Sequence, residues 1–184
     1  MPNKQTAKSP GKAPARAPAK SPSKTAGRNG PAPGKAAPKF DLEGDDGERS
    51  SSKDYAGKWL VLYFYPRDNT PGCTREAQDF TKAAARLKKL GAEVVGVSKD
   101  SVQSHCGFKE KIGIGFTLLS DPKLEAHRAY GAWGKKVMYG KEVEGVIRST
   151  FLVGPDGTLA KSWSGVKVDG HVDKVVAAIE ELRA

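Results

Sequence analysis

One cysteine of this sequence stands where a thiol would be chemically reactive. Cys73 follows residues 66–72, which lead from an apolar run into a helical pattern, so it falls in the first turn of the expected helix. A helix N-terminus presents unpaired N–H groups and the positive end of a dipole, and both favour a thiolate over a thiol. A buried structural thiol is the alternative, but it fits poorly with a segment rich in proline, glycine and charge. We therefore expect Cys73 to act as a nucleophile.

Buried strands and helices alternate around this cysteine. Residues 58–65 (KWLVLYFY) form an almost continuous apolar run, which predicts a strand covered on both faces. Residues 73–90 carry apolar side chains at helical spacing and are followed by a glycine, which predicts a helix. Residues 92–98 (AEVVGVS) predict a second buried strand and residues 101–112 a second helix. This alternation is typical of a parallel βαβ unit.

The C-terminal third of the chain adds an antiparallel part. Residues 121–130 predict a short helix with a proline near its start. Residues 148–153 and 158–163 predict two strands joined by a Pro-Asp-Gly turn at 155–157. Residues 170–182 predict a last amphipathic helix. The sequence therefore predicts an α/β fold with a central mixed β-sheet flanked by helices.

The residues around the reactive cysteine resemble a known family. Pro66, Thr70 and Cys73 match the Pro-x-x-x-Thr-x-x-Cys motif of the peroxiredoxins. The longer string TPGCTREA is similar to the branch that contains bacterioferritin comigratory protein and plant PrxQ. The resemblance continues through GVS at 96–98, DSV at 100–102, SH at 104–105, LSDP at 119–122, YG at 130–131 and RSTFL at 148–152. It covers roughly residue 40 to the C-terminus and implies a thioredoxin-like fold.

The resemblance also implies an activity and a role for each matching residue. Cys73 would be the peroxidatic cysteine, which hydrogen peroxide or an organic hydroperoxide oxidises to a sulfenic acid. The Thr70 hydroxyl would bond the peroxide and the thiolate, Arg148 would keep the sulfur ionised, and Pro66 would shield the pocket. Backbone N–H groups near Gly72 would hold the peroxide oxygens, because attack on the O–O bond builds negative charge on the leaving oxygen. No cofactor or metal is implied.

Three of the residues near the cysteine also have ordinary structural interpretations. Thr70 would serve as a helix N-cap whether or not it meets substrate. Arg148 at the start of a strand would usually be a surface cation, and the surrounding RSTFL match favours a functional role. Glu76 lies in the first helical turn, where an acid favours the helix dipole regardless of catalysis. We therefore leave Glu76 out of the predicted site.

The chain departs from many members of this branch at the position of the second thiol. A resolving cysteine often follows five residues after the peroxidatic one, where this sequence has Gln78. Other members carry it in the helix predicted here at 101–112, nearer Lys109 than Cys106. Because residues three apart share a helix face, Cys106 could point the same way. Either Cys106 forms a disulfide that a thioredoxin-type reductant reduces, or the enzyme has one active cysteine and an external thiol reduces it.

The first 39 residues have a composition of their own. Residues 1–39 hold nine of the 31 basic residues, eight of the twelve prolines and no acidic residue, and the remainder is nearly neutral with 22 basic and 21 acidic residues. We expect a disordered basic tail at 1–39 and one folded domain at 40–184. The tail resembles the basic tails of linker histones, so it could tether the protein to DNA without base specificity. A solvated tail or a transit peptide is the alternative.

Composition excludes several other classes of protein. Two cysteines do not make the disulfide framework of a small secreted domain, so we expect a reducing compartment. That compartment would be the cytoplasm, or the nucleus or an organelle in a eukaryote. No apolar run is long enough to cross a bilayer, so we expect no membrane partner. We expect a monomer.

A thioredoxin-like module without peroxidase activity is the remaining alternative. A dithiol oxidoreductase of that kind would need Cys-x-x-Cys, and the fourth position of that motif is Glu76 here. A zinc site needs about four ligands. The three histidines, His105, His127 and His171, show no spacing typical of such a site.

Overall fold

A sheet of seven strands lies at the centre of residues 30–184, the part of the chain that this computed structural model describes. A separate hairpin of two strands and a short 3-10 turn at Ser52–Tyr55 accompany it. The strands are β1 (Asp41–Gly44), β2 (Arg49–Ser51), β3 (Trp59–Phe64), β4 (Ala92–Ser98), β5 (Thr117–Ser120), β6 (Trp133–Met138), β7 (Lys141–Val146), β8 (Ser149–Val153) and β9 (Leu159–Ser164). The helices are α1 (Pro71–Lys89), α2 (Val102–Ile112), α3 (Glu125–Ala129) and α4 (His171–Arg183).

The central sheet is mixed, as the sequence predicts. Its strand order is β2-β1-β5-β4-β3-β8-β9. Strands β3, β4 and β5 run parallel, whereas β1 and β8 pair antiparallel with their neighbours β5 and β3. The parallel centre arises from the two predicted strand–helix units, because a parallel connection needs a crossover helix. The predicted α/β architecture is confirmed.

Strand β3 is buried on both faces and divides the core in two. Val61 and Tyr63 pack on the side that α1 and α4 cover, where α2 also contributes Phe108. Leu60 and Leu62 pack on the other side, against β1, the 3-10 turn and α3. Burial on both faces explains why the strand reads as an unbroken apolar run rather than an alternating one.

The predicted hairpin near the C-terminus is present. Strands β8 and β9 pair antiparallel, with Ser149 opposite Ser164. In the turn, Gly157 adopts a positive φ of 79°, which only glycine takes without strain. The Asp156 carboxylate accepts a hydrogen bond from the backbone N–H of Thr158 (3.0 Å). The turn residues predicted from the sequence therefore form the turn that joins the two paired strands.

One prediction of secondary structure is wrong in part, and one hairpin was missed. The helix expected at 121–130 is shorter and begins at Glu125, because Leu124 has a left-handed backbone with φ of 60°. Asp121 still acts as a cap, since its carboxylate accepts the N–H groups of Glu125 and His127, both at 2.9 Å. The β6–β7 hairpin was not predicted, because most of its side chains are exposed and its sequence lacks a buried alternating pattern.

Backbone hydrogen bonds attach residues before the predicted domain boundary at residue 40 to the sheet. Gly34 and Ala37 donate backbone hydrogen bonds to Leu159 and Gly157 (2.8 and 2.9 Å), and Leu159 donates to Lys35 (2.8 Å). Backbone pairing rather than apolar burial holds this stretch, so its composition does not reveal it. The rest of the predicted tail, residues 1–29, lies outside the described residues.

The helices in residues 30–184 include none that is long and apolar enough to cross a membrane.

Candidate active site

Cys73 lies in the first turn of α1, as predicted. The helix begins at Pro71, whose fixed φ suits a first helical position, and Thr70 precedes it with an extended backbone. Cys73 is the third helical residue, and 2% of its surface is exposed. It belongs to the core layer that α1 forms with β3. Its sulfur therefore faces inward at the N-terminal end of the helix.

Arg148 reaches this sulfur from the opposite side. It stands between β7 and β8, and its Nη2 donates a hydrogen bond to Cys73 Sγ (3.3 Å). Its Nη1 donates to Glu76 Oε2. Burial alone would lower the pKa of Arg148, but the negative charges of Glu76 and Cys73 raise it above its ordinary value. The guanidinium therefore stays charged beside the sulfur.

Glu76 belongs to the site, although the sequence analysis left it out. The residue is fully buried, and within residues 30–184 its Oε1 has no hydrogen-bond partner. Burial raises the pKa of Glu76 to about 7, against the lowering effect of Arg148. A signal was available in the sequence. Glu76 is three residues from Cys73 and beside Ala77, so it lies on the buried face of α1 and not on the solvent face that a dipole-stabilising acid would prefer.

Thr70 and Pro66 lie in the segment that precedes the helix. Thr70 Oγ1 donates to the carbonyl of Arg67 (3.0 Å). A hydroxyl has one proton, so in this arrangement Thr70 does not donate to Cys73. Thr70 is the N-cap residue by position, but its side chain makes no capping hydrogen bond. Pro66 follows β3 and is half-buried.

The first turn of α1 also supplies backbone donors. The first N–H groups of a helix have no acceptor within the helix, and those of Gly72 and Cys73 are in this position. Gly72 lies under the guanidinium, because a Cβ built on it would be 3.3 Å from Arg148 Nη2. Backbone N–H groups, a guanidinium and a sulfur therefore meet in one small region. Such a set can stabilise negative charge that develops next to a reacting thiolate.

Cys106 lies elsewhere, on α2. Its Sγ donates to the backbone carbonyl of Asp45 (2.9 Å), and the thiol is half-buried. Lys109 contacts the same residue, with Nζ 2.5 Å from Asp45 Oδ2. Cys106 and Lys109 therefore share a helix face, as their spacing suggests. Neither cysteine is part of a disulfide.

The three histidines are buried and hydrogen-bonded rather than grouped. His105, His127 and His171 bond to Asp68, Asp121 and Thr150 respectively. Burial lowers the pKa of His171 to about 4, so it is neutral at ordinary pH. Within residues 30–184, side chains of His, Cys, Asp and Glu form no group of three or more that could hold a metal ion.

Comparisons with known proteins agree with this geometry. The sequence profile described as the AhpC/TSA family matches residues 33–162. Peroxiredoxin Bcp of Bacillus subtilis is 44% identical over 149 residues, which are 81% of this chain and 95% of the relative. Peroxiredoxin Bcp of Escherichia coli is 37% identical over 148 residues, which are 80% of this chain and 95% of the relative.

Solved structures give the same result. Peroxiredoxin Q of Xanthomonas campestris is 45% identical, with a TM-score of 0.74 over 77% of this chain and 90% of that chain. A structure of the bacterioferritin comigratory protein of the same organism, described together with the alkyl peroxide reduction of that protein, is 43% identical, with a TM-score of 0.75 over 79% and 92% of the chains. The predicted thioredoxin-like fold is thereby confirmed. With a thiol held between a helix N-terminus and a partly buried arginine, and with relatives of this similarity, the chain belongs to the AhpC/TSA family and, within it, to the peroxiredoxins of the Bcp and Q type.

Proposed function

We propose that this thiol peroxidase reduces hydroperoxides through Cys73. The thiolate attacks the distal oxygen of the O–O bond, which breaks, and the leaving oxygen takes a proton and departs as water or an alcohol. The sulfur loses two electrons and becomes a sulfenic acid. One observation carries the proposal: Arg148 Nη2 lies 3.3 Å from Cys73 Sγ at the first turn of α1. A fixed cation there favours the thiolate and the charged transition state.

The substrate class we propose includes hydrogen peroxide and organic hydroperoxides. The alkyl peroxide reduction described for the Xanthomonas campestris relative supports the organic part. We assign Thr70 and the N–H groups of Gly72 and Cys73 to the peroxide oxygens. In that state the Thr70 hydroxyl would turn from the carbonyl of Arg67 toward the substrate, which needs only rotation about its side-chain bonds. We assign Pro66 to shielding the pocket.

For the second half of the cycle we propose that Cys106 resolves the sulfenic acid. Its thiol attacks Cys73, a disulfide forms and water leaves, and a thioredoxin-type dithiol then supplies two electrons and two protons. Other members of this branch carry the resolving cysteine nearer Lys109. Cys106 lies on the same face of α2 as Lys109, which supports this role. If Cys106 does not react, an external thiol reduces Cys73 directly.

The disulfide would require movement of the chain. Asp45, which holds Cys106, pairs with Leu118 of β5, whereas Arg148, which holds Cys73, precedes β8. Each sulfur therefore has a partner of its own, and the strands next to these partners, β5 and β8, are not neighbours in the sheet. A disulfide needs Cβ atoms about 4 Å apart. The proposed resolution therefore includes local opening near the start of α1.

Peroxide consumption in the presence of thioredoxin and its reductase tests both halves. We expect the wild type to turn over, Cys73→Ser to be inactive, and Cys106→Ser to consume one equivalent of peroxide and then stop. Activity that survives in Cys73→Ser contradicts the proposed nucleophile. Full turnover in Cys106→Ser indicates the external thiol instead. For the oxidation step alone, Cys106→Ser is the matched control for Cys73→Ser, because it removes a thiol of the same chain that does not contact Arg148.

We further propose a reducing compartment, such as the cytoplasm, and a monomeric state. A second function, non-specific DNA binding by residues 1–39, is proposed on the sequence observation that this segment holds nine basic residues and no acidic one.

A further inference from the structure

The loop between β3 and α1 has a charged residue that points inward, Asp68. Arg67 and Asn69 are exposed, whereas 2% of the Asp68 side chain is exposed. Asp68 lies five residues before Cys73. The position of this loop, and with it the first turn of α1, therefore depends on what the Asp68 carboxylate binds.

Three side chains donate hydrogen bonds to Asp68, and two of them come from α2. Tyr65 donates to Oδ1 (2.7 Å). Ser104 and His105 Nδ1 donate to Oδ2 (2.7 and 2.8 Å). We name the contact of Asp68 with Ser104 and His105 the Asp68 clasp. It joins the loop before Cys73 to the helix that carries Cys106.

The clasp is buried, and its central contact joins Asp68 Oδ2 to His105 Nδ1 (2.8 Å). His105 is fully buried, and its second nitrogen, Nε2, faces the carbonyl of Leu119 (3.1 Å). Both ring nitrogens therefore face an oxygen atom, one of Asp68 and one of the backbone of β5. Burial acts to raise the pKa of Asp68, but the hydrogen bonds from His105 and Tyr65 lower it further than burial raises it.

A backbone contact strengthens the same attachment. The N–H of Asp68 donates to Asp100 Oδ2 (2.9 Å), and Ser98 Oγ donates to the same oxygen (2.7 Å). Asp100 lies two residues after the end of β4, so this contact ties the loop to the sheet, whereas the clasp ties it to α2.

The two reactants that meet Cys73, a peroxide and a second thiol, need different amounts of space around its sulfur. A peroxide is small and can approach a sulfur that is 2% exposed. A second sulfur must come within bonding distance, about 2 Å, and it brings a whole side chain or a whole protein with it. The two half-reactions therefore need different arrangements of the same loop.

We propose that the Asp68 clasp holds the loop in the arrangement that reacts with peroxide, and that it opens before a second sulfur attacks Cys73. The proposal rests on the assignment of Cys73 as the nucleophile. Asp68 and His105 are positioning residues in this scheme, since they act through the loop and do not touch the sulfur. Weakening the clasp should slow oxidation and speed reduction.

Hydrogen exchange of the full chain tests the opening itself. The structure offers a matched control, because His127 and Asp121 form a second buried pair (2.7 Å) outside the loop. In His105→Gln we expect the amides of residues 66–74 to exchange about tenfold faster or more, since a hydrogen bond to a charged group contributes at least that factor to an opening equilibrium. In His127→Gln those amides should exchange as in the wild type. Equal exchange of residues 66–74 in the two variants overturns the proposal.

The two half-reactions provide the functional readout. Oxidation of Cys73 by one equivalent of hydrogen peroxide should be slower in His105→Gln than in His127→Gln, and reduction of the oxidised protein by dithiothreitol should be faster. A merely structural role would slow both steps or neither, and either result contradicts the clasp. Ser104→Ala, which removes one hydroxyl donor and keeps the contact between Asp68 and His105, should show the same opposite changes with smaller size if His105→Gln does not fold.

The outcomes also separate this proposal from the assignment of the nucleophile. If wild-type Cys73 does not react with peroxide, the proposed function fails, whereas the exchange of residues 66–74 still decides whether the clasp controls the loop. If Cys73 reacts but exchange is unchanged in His105→Gln, the clasp alone is wrong.

Discussion

The guanidinium of Arg148 donates hydrogen bonds to two acidic groups, Cys73 and Glu76, which lie in the same turn of α1. Nη2 binds Cys73 Sγ at 3.3 Å and Nη1 binds Glu76. The planar fork of arginine holds both bonds in a fixed geometry, whereas the donors of a lysine ammonium rotate freely. Glu76 therefore orients the guanidinium, and the sulfur receives the second donor in a fixed direction. The cost of this arrangement is a carboxylate buried with one oxygen unpaired.

The burial of this carboxylate predicts how the free energy of unfolding depends on pH. Because the pKa of Glu76 is about 7 in the folded state and 4.5 ordinarily, the folded protein keeps a proton that the unfolded chain releases between these values. The free energy of unfolding therefore falls by about 3 kcal/mol as pH rises through this window. Glu76→Gln removes the ionisable group, so the free energy of unfolding of this variant does not fall for this reason. We expect its free energy of unfolding, relative to the wild type, to rise by about 3 kcal/mol from pH 4.5 to 8 in urea titrations.

Glu180→Gln is the control for this measurement. Glu180 makes an exposed ion pair with Arg86 (2.7 Å), and such pairs contribute little to stability. Its stability relative to the wild type should hardly change over the same pH range. A Glu76→Gln difference that is constant with pH would show that the carboxyl is ionised at all these values, contrary to its burial.

The sequence predicts the reacting part of this site better than its supporting part. Cys73 and Arg148 were found from a motif and from the strand-to-helix context, and both lie where they were expected. Glu76 and Asp68 were not found, because each owes its position to partners 72 and 37 residues away. Helix periodicity indicates that Glu76 is buried, but only the packed structure shows that an arginine meets it there.

At the scale of elements, the start of α1 brings backbone and guanidinium into close contact, and Gly72 makes this contact possible. In Gly72→Ala the new Cβ would lie 3.3 Å from Arg148 Nη2, which is tighter than usual, so the guanidinium must move by a few tenths of an ångström. We expect peroxide consumption to slow roughly threefold to tenfold, because catalysis is sensitive to small displacements. Initial rates of hydrogen peroxide consumption measure this effect.

Gly107→Ala is the matched substitution in another helix. A Cβ at Gly107 of α2 would have no atom within 4 Å. Since alanine favours a helix more than glycine does, this variant should be more stable by about 0.5–1 kcal/mol and equally active. Equal rates in the two variants would show that Arg148 adapts without loss.

Long elements with a buried face were predicted, whereas the exposed hairpin and the short strands β1, β2 and β5 were not, although β1 and β5 contain buried residues. Strand β3 and helix α1 have long apolar patterns, and each was expected within a few residues of its observed bounds. Strands β6 and β7 have none, and Tyr139 at their turn is 98% exposed. Their pairing depends on backbone hydrogen bonds and the turn, which leave little trace in a hydrophobic pattern.

At the scale of the whole molecule, charge is concentrated outside the domain. Seven of the nine basic residues of the predicted tail lie in residues 1–29. We expect the full chain to shift duplex DNA in a gel, with affinity that falls by about a thousandfold or more between about 50 and about 200 mM salt. A chain that begins at Gly30 should not bind.

The truncation belongs at residue 30 rather than at residue 40, where the sequence placed the domain boundary. A chain that begins at Gly30 keeps the backbone contacts with Leu159 and Gly157, so the folded part is not altered. Equal binding by the full and the shortened chain would remove the tail from any account of nucleic-acid contact.

The backbone contacts that residues 34–37 make with Leu159 and Gly157 have a consequence for self-association. Strand β9 is the last strand of the sheet, and an outermost strand with open N–H and C=O groups is a template for chains of the same kind. Lys35 and its neighbours occupy such groups at Leu159, where β9 begins. The stretch around Lys35 thus covers the first part of this edge, and we expect a chain that lacks it to expose these groups and to form intermolecular strand pairs more readily.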